Sequence, residues 1–404
     1  MRGFGTYFRK MGPAWVISAV ACGPATLASV SMGGAAFGYS LLWVVVLSAL
    51  LATVSQYLAA KTGILGQGGL IHLVDVHLGG FWGWTLTVDA LLATWLAALV
   101  LMKALSGTTS LITGIASPLW GLPYGLFFFL FLIFGGYRKF EIFCKVLVGI
   151  VVLCFLLTVV MVRPPVGSIM RGLIPSIPAG LSSAVVMAGI MGGAVHITII
   201  AMHTYTVNAR GWTSADMGLA RFDTVFSMFF AFGLYSVSIF LAAAAVLHPK
   251  GIEVNSALDV ATSLAPLLGK HGEAIFLVGL WGAEVSTLSP TYLAGAYFVA
   301  DKFHWGLNSK DARFGLLVLV GCAVSVLGPF LKGSFILLLV IMLALGLCGT
   351  PLVLVLVMVL LNRRRFAGER RNSPALNVLG IAAIAVTTFL AARFLLVKLG
   401  GWTP

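Results

Sequence analysis

The residues best suited to binding chemistry in this sequence lie in one long apolar stretch at 181–207. It is long enough to cross a bilayer, which takes roughly 20 residues. Glycine destabilises a helix interior by about 1 kcal/mol, and imidazole is rare at membrane depth unless it faces protein or water. The pattern fits a helix interrupted in mid-membrane whose freed backbone groups line a substrate cavity, and it fits equally a glycine-packed helix interface. The residues concerned are Gly189, Gly192, Gly193, His196, Thr198 and His203.

A second interruption is predicted near the N-terminus, where Gly23, Pro24, Ala25 and Thr26 lie midway along an apolar stretch. Proline removes a backbone donor and clashes with the preceding helical turn, although proline kinks also occur in membrane helices without a functional role. The position of this interruption favours a functional role over a simple proline kink. Interruptions at matching places in two five-span halves are typical of inverted-repeat transporters, whose substrate site lies between them.

The composition predicts an all-α polytopic membrane protein, since 60% of the 404 residues are hydrophobic and only 9% are charged. We predict a single transmembrane domain over 1–404, with a first inverted repeat at 14–162, a second at 181–361 and an extra helix at 376–397. The eleven predicted spans lie near 14–35, 40–60, 83–105, 118–136, 142–162, 181–207, 222–247, 273–299, 314–331, 334–361 and 376–397.

The charge distribution predicts orientation and partners. Most of the 25 lysines and arginines fall in loops on the N-terminal side of the membrane, which predicts a cytoplasmic N-terminus. The basic run at 362–371 is then an inner loop that contacts anionic lipid headgroups, so no nucleic-acid partner is predicted for the net charge of +13. The expected partners are the bilayer and a transported ion or small solute, and the short loops suit a bacterial inner membrane.

The five cysteines and twelve acidic residues limit the chemistry further. No CxxC spacing occurs, so the cysteines are predicted to be packing residues, and no cofactor is predicted. Only Asp89 and Glu284 lie well inside predicted spans. A carboxylate at that depth needs a partner, a cation or a proton, which favours a functional role for Glu284. Asp89, near the inner end of span 3, could instead reach the interface.

Several stretches together resemble the natural resistance-associated macrophage protein (NRAMP) family of metal transporters. They remain in register from about residue 12 to residue 300. The resemblance implies a five-plus-five inverted repeat, an amino-acid-transporter-like fold, with interrupted helices 1 and 6, alternating access between them and no enzymatic activity. The matching runs are at 37–64, 136–155, 172–178 (GLIPSIP) and 283–295 (AEVSTLSPTYLAG).

The metal ligands that the resemblance implies are replaced in this sequence. The family's span 1 reads Asp-Pro-Gly-Asn, whereas this chain has Gly23-Pro24-Ala25-Thr26. In span 6, His196 takes the place of the metal-binding methionine, and Gly193 that of the alanine whose carbonyl binds. A tight site for a hard divalent cation usually includes carboxylate, and neither interrupted helix carries one.

The implied proton pathway is also reduced. His203 matches the second span-6 histidine of the family, which is associated with proton movement, while Thr198 stands where the first occurs. Asp89 is all that remains of the span-3 acidic relay. Glu284 replaces a glutamine in span 8. The resemblance therefore makes Asp89 and His203 proton-pathway candidates but argues against ordinary proton coupling.

Three functions are compatible with these residues. The first is transport of a divalent cation that is magnesium-like, loosely bound and hydrated. The second is transport of a small organic or anionic solute in a repurposed cavity, and the third is a non-transporting sensor. Thr26, His196 and Glu284 are the candidate metal contacts. The substrate-binding candidates are Gly23, Ala25, Thr26, Gly193, His196, Thr198 and Glu284.

Overall fold

The computed structural model describes residues 11–264, 271–308 and 310–400, without the side chains at 135–152 and a few neighbouring positions. Its described residues form helices and short turns with no β-strand, which confirms the all-helical fold class. The helices are α1 (Pro13–Ala21), α2 (Pro24–Phe37), α3 (Leu42–Gly66), α4 (Leu70–Leu78), α5 (Gly80–Thr113), α6 (Gly121–Val162), α7 (Val166–Gly172), α8 (Leu181–Ala194), α9 (Ile197–Ala209), α10 (Met217–Thr224), α11 (Gly233–Val246), α12 (Ala257–Ala261), α13 (His271–Lys302), α14 (Ala312–Ser325), α15 (Phe335–Cys348), α16 (Thr350–Asn362), α17 (Arg364–Ala367) and α18 (Pro374–Lys398).

The predicted helix interruptions are present. Span 1 is divided into α1 and α2, and span 6 into α8 and α9, each by two non-helical residues. Span 10 contains Gly346, Gly349, Thr350 and Pro351, which predict a local distortion, and it is divided into α15 and α16 at Gly349. Backbone groups freed at such breaks must be satisfied within the protein or line a cavity.

Two spans differ from the prediction. The fourth and fifth predicted spans form one continuous helix, α6, so the loop expected between 136 and 142 is helical. This segment contains no proline that would end a helix. Span 7 contains a π-helix at Val225–Phe232 between α10 and α11. Seven helical segments of the described chain are long and apolar enough to cross a membrane.

Three hydrogen bonds join loops that the sequence predicts to lie on the same side of the membrane. Arg363 donates to the His77 carbonyl at 2.6 Å, and Arg370 donates to the Ser214 carbonyl at 2.6 Å, which joins three predicted inner loops. Ser334 donates to the Asn255 carbonyl at 2.6 Å, joining two predicted outer loops. We call the face that carries 363–371 the inner face and the opposite one the outer face.

Candidate functional site

The break in span 1 brings backbone against span 8. Gly23 has an extended backbone (φ −75°, ψ 177°), and Pro24 starts α2. A Cβ atom at Gly23 would lie 2.5 Å from the Thr287 hydroxyl oxygen of α13, so only glycine permits this approach. Thr287 donates to the Ala283 carbonyl at 2.8 Å and also lies 3.4 Å from the Ala19 carbonyl of α1.

The break in span 6 frees a row of carbonyl groups. Val195 and His196 are extended between α8 and α9. The Val195 carbonyl accepts a hydrogen bond of 3.0 Å from the Thr350 hydroxyl, at the start of α16. Within the described chain, the carbonyls of 192–194 accept no backbone hydrogen bond. The C-terminal end of α8 therefore presents partial negative charge to the break.

Thr26 and Gly193 bring the two interrupted spans into contact. A Cβ atom at Gly193 would overlap the Thr26 hydroxyl oxygen. Both residues are buried, as is Ala25, whose carbonyl accepts a bond from Ser29 at 2.9 Å. His196 is only partly buried, and no group of the described residues hydrogen-bonds its ring. The break regions therefore combine a hydroxyl, free carbonyls and an accessible imidazole.

Span 3 supports α9 through a pair of hydroxyl groups. Thr198 Oγ1 and Thr94 Oγ1 are 3.3 Å apart, and both residues are buried. Thr94 also donates to the Ala90 carbonyl at 2.6 Å. Sequence reasoning selected Thr198 but missed Thr94, because one threonine among many in an apolar span carries no signal of its own.

Glu284 forms no hydrogen bond with a break residue in the part of the chain that the structure describes. It is fully buried between α13 and α5, where Oε1 accepts a hydrogen bond of 2.8 Å from Thr108. Its other oxygen, Oε2, has no hydrogen-bond partner among the described residues. No three His, Cys, Asp or Glu side chains converge on a point in the part of the chain that the structure describes. A metal-binding trio of Thr26, His196 and Glu284 stays a prediction.

The two proton-pathway candidates occupy different surroundings. Asp89 is half-buried, and its carboxylate lies against Gly349 at the break in span 10. His203 is completely buried in α9, and its Nδ1 is 3.0 Å from Gln56 Oε1 of α3. No hydrogen bond of the described residues joins the two, and their assignment to proton movement stays a prediction.

Two further acidic residues are buried in the protein, although the sequence does not predict their burial. Asp301 is buried at the inner end of α13, where it accepts 2.8 Å bonds from the Tyr205 hydroxyl and the His72 amide. Asp223 is buried as well, and it accepts a bond of 2.9 Å from the Ala14 amide at the start of α1. These contacts anchor the inner half-helices α1 and α9 to spans 7 and 8.

An outer cavity of about 660 Å³ lies between α5, the start of α15 and the outer loops. Lys103 and Ser106 line it, and Lys103 donates to the Leu331 carbonyl there. Thr26, Gly193 and His196 do not line this cavity. The break region and the outer cavity are therefore separate in this conformation.

A helical membrane protein with paired interrupted helices in contact at their breaks has the architecture that is typical of membrane transporters. The family described as natural resistance-associated macrophage protein-like (Nramp) matches residues 14–397. The chain belongs to this family. It is accordingly an integral membrane protein of a transporter family and not an enzyme.

Similar proteins agree with this assignment. The divalent metal cation transporter MntH of Deinococcus radiodurans is 28% identical over 402 residues, which cover 97% of this chain and 90% of the relative. A protein of the same name from a Nostoc species is 28% identical over 421 residues, covering 98% and 93% of the two chains.

Solved structures show the same fold. The Eremococcus coleocola manganese transporter matches with a TM-score of 0.82 at 18% identity, covering 99% of this chain and 93% of that one. Mhp1, a nucleobase-cation-symport-1 family transporter, matches with a TM-score of 0.60 at 16% identity, covering 97% and 94%.

Proposed function

We propose that this chain moves a divalent cation across the membrane by alternating access, at a site between the breaks of spans 1 and 6. The observation that carries the proposal is the row of unbonded carbonyls at 192–194 beside the Thr26 hydroxyl. Oxygen ligands suit hard cations, and the C-terminal end of a half-helix attracts positive charge. The MntH relatives, named as divalent metal cation transporters, support the same cargo class.

The ligand set favours a hydrated, magnesium-like cation. Thr26 and the carbonyl of Gly193 offer uncharged oxygen ligands, the ring of His196 would contact a water of the hydrated ion, and the thioether of the family's usual site is absent. Soft thioether ligands favour transition metals, whereas magnesium keeps several of its waters and tolerates few direct protein ligands. Glu284 would supply negative charge without being a direct ligand, since one oxygen of its carboxylate is held by Thr108.

We also propose that transport proceeds without the family's usual proton relay. No hydrogen bond among the described residues joins Asp89 to His203, which is completely buried and bonded to Gln56. A proton relay needs titratable groups in hydrogen-bond sequence, and leucines occupy 96 and 99 in span 3, between Asp89 and the outer end. Uptake should therefore continue without acidification of the vesicle interior.

Uptake by purified protein in liposomes tests the proposal. Magnesium and manganese are offered separately, with protein-free liposomes as the blank and an internal pH dye as a second readout. Saturable magnesium uptake without a preference for manganese, and without acidification, is the expected result. Strong manganese preference would refute the magnesium-like specificity, and proton entry with the cation would refute the uncoupled mechanism.

The alternative cargo is a small organic or anionic solute. The first N–H groups of α9 have no backbone acceptor because they follow the break, and helix N-termini attract anions. If neither cation enters the liposomes while a carboxylate solute raises the Tm of the protein, the cation proposal fails and this alternative replaces it.

A further inference from the structure

A second cavity, of about 440 Å³, lies near the inner face between α3, the α10–π-helix segment and the start of α18. It is distinct from the break region and from the outer cavity. Three cationic side chains and three hydroxyl groups line it. These are Lys61, Arg221, Arg371, Thr53, Tyr57 and Ser373.

The three cations form no ion pair with an acidic residue in the described ranges. Lys61 is only 6% exposed, and its ammonium group donates to Asn372 Oδ1 at 2.9 Å, which is a neutral acceptor. Neither Arg221 nor Arg371 forms an ion pair with any described residue. A nearly buried ammonium group without a counter-charge is unfavourable, and three cations around one cavity create a positive potential.

The N-terminus of α18 adds to this potential. Ser373 caps the helix by accepting from the Leu376 amide at 3.3 Å, and Pro374 occupies its first position. In this first turn Pro374 has no N–H, and the amides of Leu376 and Asn377 donate to Ser373, so only the Ala375 amide has no acceptor among the described residues. This amide and the helix dipole favour an anion, phosphate above all.

The remaining walls are apolar and continue along the membrane-facing surface. The apolar lining residues include Val54, Val225, Leu376 and Leu379. The side chain of Leu379 is 48% exposed. A soluble phosphate compound would make no apolar contact with these walls on a spanning helix. An acyl chain fits them, because its phosphate would then lie at interface depth.

We propose that this cavity binds an anionic glycerophospholipid, with its phosphate among Lys61, Arg221 and Arg371 and an acyl chain along α3 and α18. Basic pockets between spanning helices are a general means of binding such headgroups. The bound lipid bridges span 11 to spans 2 and 7. It neutralises the buried Lys61 ammonium group and so stabilises the folded protein.

The test measures the Tm and retained lipid of the purified full chain in detergent. Phosphatidylglycerol, phosphatidylcholine and glycerol 3-phosphate are added separately, and native mass spectrometry counts bound lipid. The variant is Arg221→Gln/Arg371→Gln, which leaves the Lys61–Asn372 bond in place. Its control is Arg364→Gln/Arg365→Gln, because these inner-face arginines are exposed and do not line the cavity.

Phosphatidylglycerol should raise the Tm of the unchanged chain and of the control, and one lipid should be retained. Each interfacial cation contributes about 1 kcal/mol to lipid binding, so the variant should bind about 30-fold more weakly. An equal effect of glycerol 3-phosphate would replace the lipid by a soluble phosphate ligand. An equal loss in the control, or no effect of phosphatidylglycerol, would overturn the proposal.

Discussion

The carboxylate of Asp89 lies directly against Gly349, at the residue where span 10 breaks into α15 and α16. A Cβ atom at Gly349 would overlap Asp89 Oδ2, which is buried and has no hydrogen-bond partner among the described residues. Gly349 has helical dihedrals (φ −81°, ψ −14°), which any residue adopts. Glycine is needed here for space and not for backbone freedom.

Gly349→Ala should therefore lower stability by about 1–3 kcal/mol, because an added methyl group overpacks a filled site. The Tm in detergent measures the effect. Asp89→Ala should restore most of the loss in the double variant, since it removes the overlapping carboxylate. Gly279→Ala serves as the control because its methyl group would meet no atom within 4 Å. A Gly349→Ala Tm equal to that of the control would show that Asp89 moves aside freely.

Gly193→Ala should lower both the Tm and cation uptake, since the new methyl group overlaps the Thr26 hydroxyl and separates spans 1 and 6. Adding Thr26→Ala removes the overlapping oxygen and should restore the Tm. Uptake should stay low in this double variant, because the Thr26 hydroxyl is a proposed cation ligand. Full recovery of uptake would exclude Thr26 as a ligand and leave it a packing role.

Alanine substitution should lower stability at one histidine of span 6 and cation uptake at the other. His203→Ala removes the partner of Gln56 in a fully buried site and should cost about 1–3 kcal/mol of stability. His196→Ala should leave the Tm unchanged and abolish saturable uptake, since the ring is partly accessible and unbonded within the described chain. His77→Ala, at the inner face, is the control for both. Unchanged cation affinity after His196→Ala would contradict its role in the site.

Glu284→Gln should weaken cation uptake without unfolding the protein, because the glutamine carbonyl can still accept from Thr108. An affinity loss of about tenfold would correspond to about 1.4 kcal/mol of electrostatic attraction. Glu273→Gln, exposed on the same helix, is the matched control. If Glu284→Gln and its control behave alike in uptake, the buried carboxylate has a structural role only.

The sequence predicts the fold well where a residue type acts locally. Glycine and proline at mid-membrane predict the breaks in spans 1, 6 and 10, since they weaken a helix wherever they stand. It fails at 136–142, because charged and aromatic residues do not end a helix by themselves.

The candidate site is only partly predictable. His196 and Glu284 are conspicuous as polar groups in apolar spans, but their partners are contacts between distant segments. Thr108 lies 176 residues from Glu284, and Thr350 lies 155 residues from Val195. The sequence does not single out Asp301, because it lies at the end of a span, where acidic residues are common. Only the packing of α4 and α9 against α13 buries it.

Asp223 bears on how firmly the first half of span 1 is held. Its carboxylate accepts the Ala14 amide at the first turn of α1, within buried surroundings. A hydrogen bond to a charged group contributes about 1.5–3 kcal/mol. Any displacement of α1 away from α10 must break this bond. One carboxylate thus ties the shorter half of an interrupted span to a neighbouring span.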